Sequence, residues 1–225
     1  MFLEMAYALS PDDPIFPGLP HDEFIPHERI KEGAESNTTM VKHFLHNGTH
    51  ADAPFHFYDR GKTIDQIPIK DFCYTRPLVV QKMLPKGGFF QPKDIEALGK
   101  SLNEADILLL CSGYYTLRHD QAVYLDDFPS LSVEAARLIR TELLNIKAIA
   151  IDTLSIESCR LGPQQNFSVH KTLLDGEMYK TRPVLIFEDV NIGVILGREI
   201  KRIYAFPLRL TGLDASPVSI VAELL

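Results

Sequence analysis

The clearest hydrophobic pattern lies in the middle of the chain. Asp106 is followed by an unbroken apolar run, Ile107-Leu108-Leu109-Leu110-Cys111, of strand length. Ser132 then stands where a helix N-cap is wanted, and Ala136, Ile139 and Leu143 recur at helical spacing, which predicts a helix over 133–144. A second apolar run, Ile146 to Ile151, follows at once. Strand, helix, strand, with both strands apolar and unalternating, predicts a parallel βαβ unit buried on both faces. Ligands approach such units at the carboxyl ends of their strands. The segments leaving those ends are Ser112-Gly113-Tyr114-Tyr115 and Asp152-Thr153.

The flanking patterns are weaker. Thr38 to His46 and Leu78 to Lys82 read as strands, and Pro92 to Leu102 as a helix with proline in its first turn. Ile64, Ile67 and Ile69 read as core contacts. From Pro183 onward, short apolar runs at 184–187, 191–196, 202–210 and 218–224 alternate with glycine-containing turns, as in a mixed or antiparallel sheet. Residues 1–35, punctuated by prolines and acids, read as an irregular arm with at most one short strand near Tyr7 to Leu9. There is no internal repeat and no flexible linker, so 1–225 is expected to form one α/β domain.

Composition narrows the function classes. An apolar content of 45% supports a folded core. The net charge of -7, without clustered Lys and Arg, argues against a nucleic-acid surface. Cys73, Cys111 and Cys159 are too dispersed for a disulfide framework. No apolar stretch is long enough to span a bilayer, and Met1-Phe2-Leu3-Glu4 lacks the basic start of a signal peptide. A cytoplasmic protein without membrane or nucleic-acid partners is expected.

The chemistry concentrates in His46-Asn47-Gly48-Thr49-His50-Ala51-Asp52-Ala53-Pro54-Phe55-His56. Gly48 and Pro54 make this segment a poor helix. In an extended chain, the even spacings keep the three histidines and the aspartate on one side of the backbone. Two imidazoles and a carboxylate converging in this way suit a borderline divalent ion, zinc first, with manganese, iron or cobalt also compatible. His46, His50 and Asp52 are the candidate ligands.

This segment resembles, at every fixed position, the His-x-Gly-Thr-His-x-Asp-x-Pro-x-His signature of the metal-dependent cyclase and hydrolase family that includes bacterial-type kynurenine formamidases. Weaker similarity runs from about residue 8 to the C-terminus. The resemblance implies a swivelling β/α/β fold with a mixed, barrel-like central sheet flanked by helices. It implies one or two ions, with Asp52 able to bridge them, and proton transfer by His56. It also implies a dimer or tetramer. His170, within a segment similar to the family's His-x-x-Leu-Leu, is implied as a further ligand.

For the late carboxylate two residues compete. Glu177 comes early, whereas Glu188 fits the family's strand-glutamate pattern if about six residues are inserted around 177–182, at little energetic cost in a surface loop. Glu157 stands where relatives have aspartate, so its reach is altered. With no tryptophan in the chain, aromatic contacts in a pocket fall to Tyr114, Tyr115, Phe55 or Phe57. Ser112 keeps the hydroxyl of the family's Thr-Gly-Trp segment. Phe16 and Phe24 of the arm are candidates for an apolar wall.

The implied activity is hydrolysis of a small carbonyl compound by hydroxide held on the ion, with N-formyl-L-kynurenine as the formamidase substrate. Hydrolysis of a cyclic amide or lactone of the isatin type, a cyclase or dehydratase reaction, and a non-catalytic metal-binding role are the alternatives.

Overall fold

The computed structural model describes residues 1–225. Strands Ile107–Cys111 and Ala148–Ile151 are parallel neighbours, with Ala148 opposite Ile107. Helix Val133–Thr141 connects them, and the Ser132 Oγ accepts a hydrogen bond from the Ala135 N–H at 3.1 Å. The helix stops short of Leu144. Glu142 and Leu143 both donate to the Leu138 carbonyl, so the regular ladder ends there although Leu143 remains partly covered.

The lack of alternation in these strands has a direct cause, because each face buries its own core. Ile107, Leu109, Cys111, Ala148 and Ala150 face inward with Phe187, Ala205, Ile220 and Ala222. Leu108, Leu110, Ile149, Ile151 and Ile186 face outward against Ala135, Ala136, Ile139 and Leu173 of the helices. One mixed sheet of nine strands carries both cores. From one end it runs Cys73–Tyr74, Ile200–Pro207, Ala215–Leu224, His50–Asp52, Leu185–Glu188, Ala148–Ile151, Ile107–Cys111, Pro77–Gln81. Phe2–Glu4 also pairs with 215–224.

The two end strands, 73–74 and 77–81, follow each other in the chain, so the sheet curls until its ends nearly meet. This is the expected α/β architecture with a nearly closed barrel. Asp106 fixes the corner between them. Its carboxylate accepts from the Thr75 and Arg76 backbone N–H groups at 2.8 and 2.9 Å.

Several expectations change. The arm contains two strands, neither of them at Tyr7–Leu9. Phe2–Glu4 joins the main sheet, and Glu23–Glu28 forms a separate ribbon with Thr38–Lys42. The Tyr7 N–H instead donates to the Thr49 side chain at 2.9 Å. The strand starting at Thr38 ends at Lys42, because His43 and the Phe44 N–H turn to the Asp22 carboxylate.

The predicted 92–102 helix is only Pro92–Glu96 followed by a 3-10 turn, Gly99–Asn103, with Gly99 at φ +61° interrupting the helical path. The 191–196 run is a 3-10 turn, Ile192–Ile195, not a strand, since Asn191 N–H bonds to the Met5 carbonyl. Leu185–Glu188 is parallel to 148–151 and antiparallel to 50–52. Ile64 and Ile67 are buried, but Ile69 lies on an exposed 3-10 turn.

Replacing Asp106 with alanine leaves the Thr75 and Arg76 amides without their acceptor. We expect a loss of about 2–3 kcal/mol in urea unfolding, at unchanged m-value.

Candidate metal centre

Strand His50–Asp52 lies in the middle of the sheet, between Leu185–Glu188 and Ala215–Leu224. Alternation sends Ala51 into the barrel interior, and therefore sends His50 and Asp52 together to the opposite, helix-covered face. Glu188 pairs directly with His50 across the ladder and shares that face. Helix Ser168–Leu174 lies over this face and supplies the buried His170. His46 comes from the turn before the strand, and His56 from the 3-10 turn Pro54–His56 after it.

The structure thus brings together His46, His50, Asp52, His56, His170 and Glu188. Asp52 belongs to two overlapping ligand sets, one with His46 and His56 and one with His50 and Glu188. Glu177 lies elsewhere, exposed and paired with Arg60.

Each ring is turned by a bond on its outer nitrogen. His50 Nδ1 faces the Gly48 carbonyl at 2.9 Å, leaving Nε2 toward Asp52 Oδ1 at 3.3 Å and Glu188 Oε2 at 3.4 Å. His170 Nδ1 meets Glu157 Oε2 at 2.7 Å, leaving Nε2 3.3 Å from Glu188 Oε1 and 3.9 Å from Asp52 Oδ2. Glu157 also accepts from the Val169 and His170 backbone N–H groups, so it anchors the first turn of that helix. Glu188 Oε1 is held by Ser155 Oγ at 3.0 Å and the Ile156 N–H at 2.6 Å. The segment after strand 148–151 therefore aims both late residues of the cluster.

His46 Nε2 meets Asp214 Oδ2 at 2.9 Å, which turns Nδ1 toward Asp52 Oδ1, also at 2.9 Å. The second approach is misaligned for a hydrogen bond. Both Asp52 oxygens and His50 Nε2 are buried without a hydrogen-bond partner. Buried polar atoms left in this way are costly unless something else satisfies them. Nitrogen and oxygen donors separated by 3.3–3.4 Å match the edge of a tetrahedron about an ion at roughly 2.0 Å from each ligand. The donor set and its unsatisfied atoms fit a divalent cation.

The protonation pattern agrees. Burial opposes the charged form of His170, but bonds to Glu157 and Glu188 outweigh it and raise its pKa to about 10. Burial also opposes ionisation of Glu188, yet His170 and His50 pull its pKa down to about 2. Likewise His50 is pushed well above its usual range by Asp52 and Glu188 despite burial, and Asp52 well below its own by His46 and His50. Protons thus balance the carboxylates where a cation can do so, and an entering ion displaces them.

Asp214 carries no signal in the sequence beyond being an acid in a turn. It sits 158 residues from His56, yet its Oδ2 also meets His56 Nδ1 at 3.2 Å. The His46 and His56 rings lie 4.0 Å apart between centroids, tilted by 30°. The opening of strand 215–224 beside Asp52 places Asp214 there.

A second charged cluster, also missed by sequence reasoning, backs the loop. Arg118 clasps Asp189 through Nε and Nη2, reaches Asp13 at 3.0 Å, and lies 3.9 Å over the Tyr7 ring. Tyr124 donates to Asp189 at 2.7 Å, and Thr49 Oγ1 to its carbonyl at 2.6 Å. The arm is thereby tied to the loop between His46 and His50.

The aromatic candidates separate. Phe57 stacks on His170 at 4.8 Å, and Phe55 is half-buried in the same turn region. Tyr114 is buried with Tyr124 and Phe128, and Phe16 covers that cluster. Tyr115 fills the space above Gly193, where a Cβ would stand 2.1 Å from its ring. Ser112 is bound to Asp152 at 2.7 Å, and Phe24 lies on the exposed ribbon.

Glu157→Ala is expected to weaken zinc binding about 10–100-fold, because His170 loses its orienting bond. Glu188→Ala is expected to lower the zinc held after dialysis, whereas Glu177→Ala leaves it unchanged. Metal analysis of the three purified variants checks the set.

No helix of the protein is long and apolar enough to cross a membrane. The fold is similar to that of isatin hydrolase A from Ralstonia solanacearum, with TM-score 0.84 and 16% identity, covering 99% of this chain and 91% of that one. Isatin hydrolase A from Labrenzia aggregata, bound to benzyl benzoate, gives TM-score 0.81 and 17% identity over 100% and 93% of the two chains. A predicted metal-dependent hydrolase from Bacillus stearothermophilus gives 0.73 and 21%, over 99% and 97%. At these identities the likeness speaks for the fold. The Cyclase family model, described as "Putative cyclase", matches residues 3–158, well over half of the chain, and the protein belongs to that family.

Proposed function

We propose that the protein is a metal-dependent hydrolase that opens a small cyclic aryl amide of the isatin type. The observation that carries this reading is the buried His/Asp/Glu cluster with its unsatisfied donor atoms, set in a fold similar to two isatin hydrolases. An acyclic aryl formamide such as N-formyl-L-kynurenine is the second reading, favoured by the complete 46–56 signature.

In this proposal His46, His50 and Asp52 would hold the ion, with His170 and Glu188 as further donors beside them. Zinc suits these donors, as do manganese, iron and cobalt. Such an ion supplies Lewis acidity, polarising a carbonyl and easing ionisation of water.

The chain's own residues supply the rest. Asp214 accepts from His56 Nδ1, which leaves Nε2 with its lone pair to take a proton. Water adds to the carbonyl carbon, the carbon–nitrogen bond breaks, and His56 returns the proton to the departing nitrogen. A carboxylate and an amine result. Phe57, stacked on His170, gives an aromatic substrate an apolar surface beside the cluster.

The test is a panel of isatin, N-formylkynurenine, simpler aryl formamides and lactones on zinc- and manganese-reconstituted protein. Turnover of the lactam, abolished by chelation, is expected. Failure to hydrolyse any member would sink the reading, and turnover of formamides alone would select the second. His56→Asn is expected to keep the metal while lowering kcat roughly a hundred- to ten-thousand-fold.

Assembly into a homo-oligomer belongs to the same proposal. Every residue of Glu23–Glu28 is exposed, and Phe24, Ile25, Met40 and Val41 present apolar surface on a ribbon of only two strands. Such a ribbon is marginal unless another surface covers it. Sedimentation equilibrium is expected to give a dimer or larger, and Met40→Glu with Val41→Lys to shift it toward monomer.

A further inference from the structure

A cavity of about 220 Å³ lies away from the metal cluster and includes none of its residues. Leu185 and Lys147 line it, at the starts of strands whose opposite ends lead to Glu188 and Asp152. Three residues of strand at about 3.3 Å each put Leu185 roughly 10 Å from Glu188. The cavity is therefore at the amino end of the parallel strands, and the cluster at the carboxyl end. Its wall includes Pro54, in the turn that carries His56, and Tyr58, two residues past that turn.

Its charge is unusual for a protein of net charge -7. Arg60, Lys62, Lys147 and Arg182 line it, against one acid, Asp71. Arg60 is paired with Glu177, but Lys62, Lys147 and Arg182 have no carboxylate within 4.0 Å. Cations gathered without counter-charges repel one another and are relieved by an anion. The remaining wall is largely apolar, with Pro54, Tyr58, Ile67, Pro68 and Leu185 among its residues. A dry cavity of about 150 Å³ accommodates benzene, so this one has room for a ring with a charged head.

We infer that this cavity is a second binding site, for a small aryl carboxylate, with the ring against Pro54, Tyr58 and Leu185 and the carboxylate among Lys62, Lys147 and Arg182. Bare cations alone would suit any oxyanion; the apolar wall is what specifies an aryl body. The inference stands apart from the hydrolytic reading, since it uses none of the metal-cluster residues.

Calorimetric titration of the 225-residue chain with benzoate, benzamide and inorganic phosphate tests it, with and without EDTA. Benzoate is expected to bind once per chain, at least about tenfold more tightly than neutral benzamide or phosphate, and equally with and without EDTA. Lys62→Glu with Arg182→Glu, both on exposed residues, is expected to weaken it about tenfold or more. The Lys62→Gln, Arg182→Gln pair, with an unchanged melting temperature, gives the same loss if the reversed charges disturb folding. Absence of benzoate binding, equal binding of benzamide, tighter binding of phosphate, indifference to both variants, or loss on chelation would each overturn the proposal. Loss on chelation would move the site to the metal cluster and leave the hydrolytic reading standing.

Discussion

A buried carboxylate without a hydrogen-bond partner governs this structure. Asp52 lies at 1% exposure in the middle of a sheet, where removing an isolated charge from water is strongly unfavourable. Four histidines are drawn toward it and toward Glu188, from two turns, a strand and a helix. Each needs its own outer bond to face inward, and those bonds account for much of the surrounding architecture. The Asp152–Glu157 segment bends back to hold Glu188 and His170. The Gly48 carbonyl turns to His50, and the turn before strand 215–224 brings Asp214 to His46 and His56.

The sheet makes this arrangement stable. Two apolar cores, one inside the curl and one beneath the helices, clamp strands 107–111, 148–151 and 185–188 from both sides. Arg140 of helix 133–141 extends this rigidity, since its buried guanidinium donates to the carbonyls of Leu173 and Asp175 at 3.0 and 2.8 Å. Those carbonyls are at the C-terminal end of helix 168–174, where a cation is favourable. The helix bearing His170 is thus held at its first turn by Glu157 and at its last by Arg140.

The legible parts of the chain were those in which the decisive contacts are local. The 46–56 segment compresses four ionisable side chains into eleven residues, so alternation alone aligns His50 with Asp52. The 106–151 region carries strand, cap and helix signals in order. Glu188 could not be located by counting, because residues around Glu177 form an exposed excursion before Pro183 and strand 185–188. Asp214 and the Arg118–Asp189 clasp were invisible for a different reason. Their partners lie 158 and 71 residues away, and an acid in a turn has no periodicity to betray it. The arm misled because its prolines suggested irregularity. Pro26 is accommodated in a two-stranded ribbon whose register shifts beside it.

Asp214 Oδ2 is the contact for both the His46 and the His56 rings, so electron density withdrawn by one imidazole is no longer at the disposal of the other. The two rings are then coupled in opposition, since a stronger bond from one to that oxygen leaves a weaker acceptor for the other, and a substitution at either ring reaches its neighbour through Asp214.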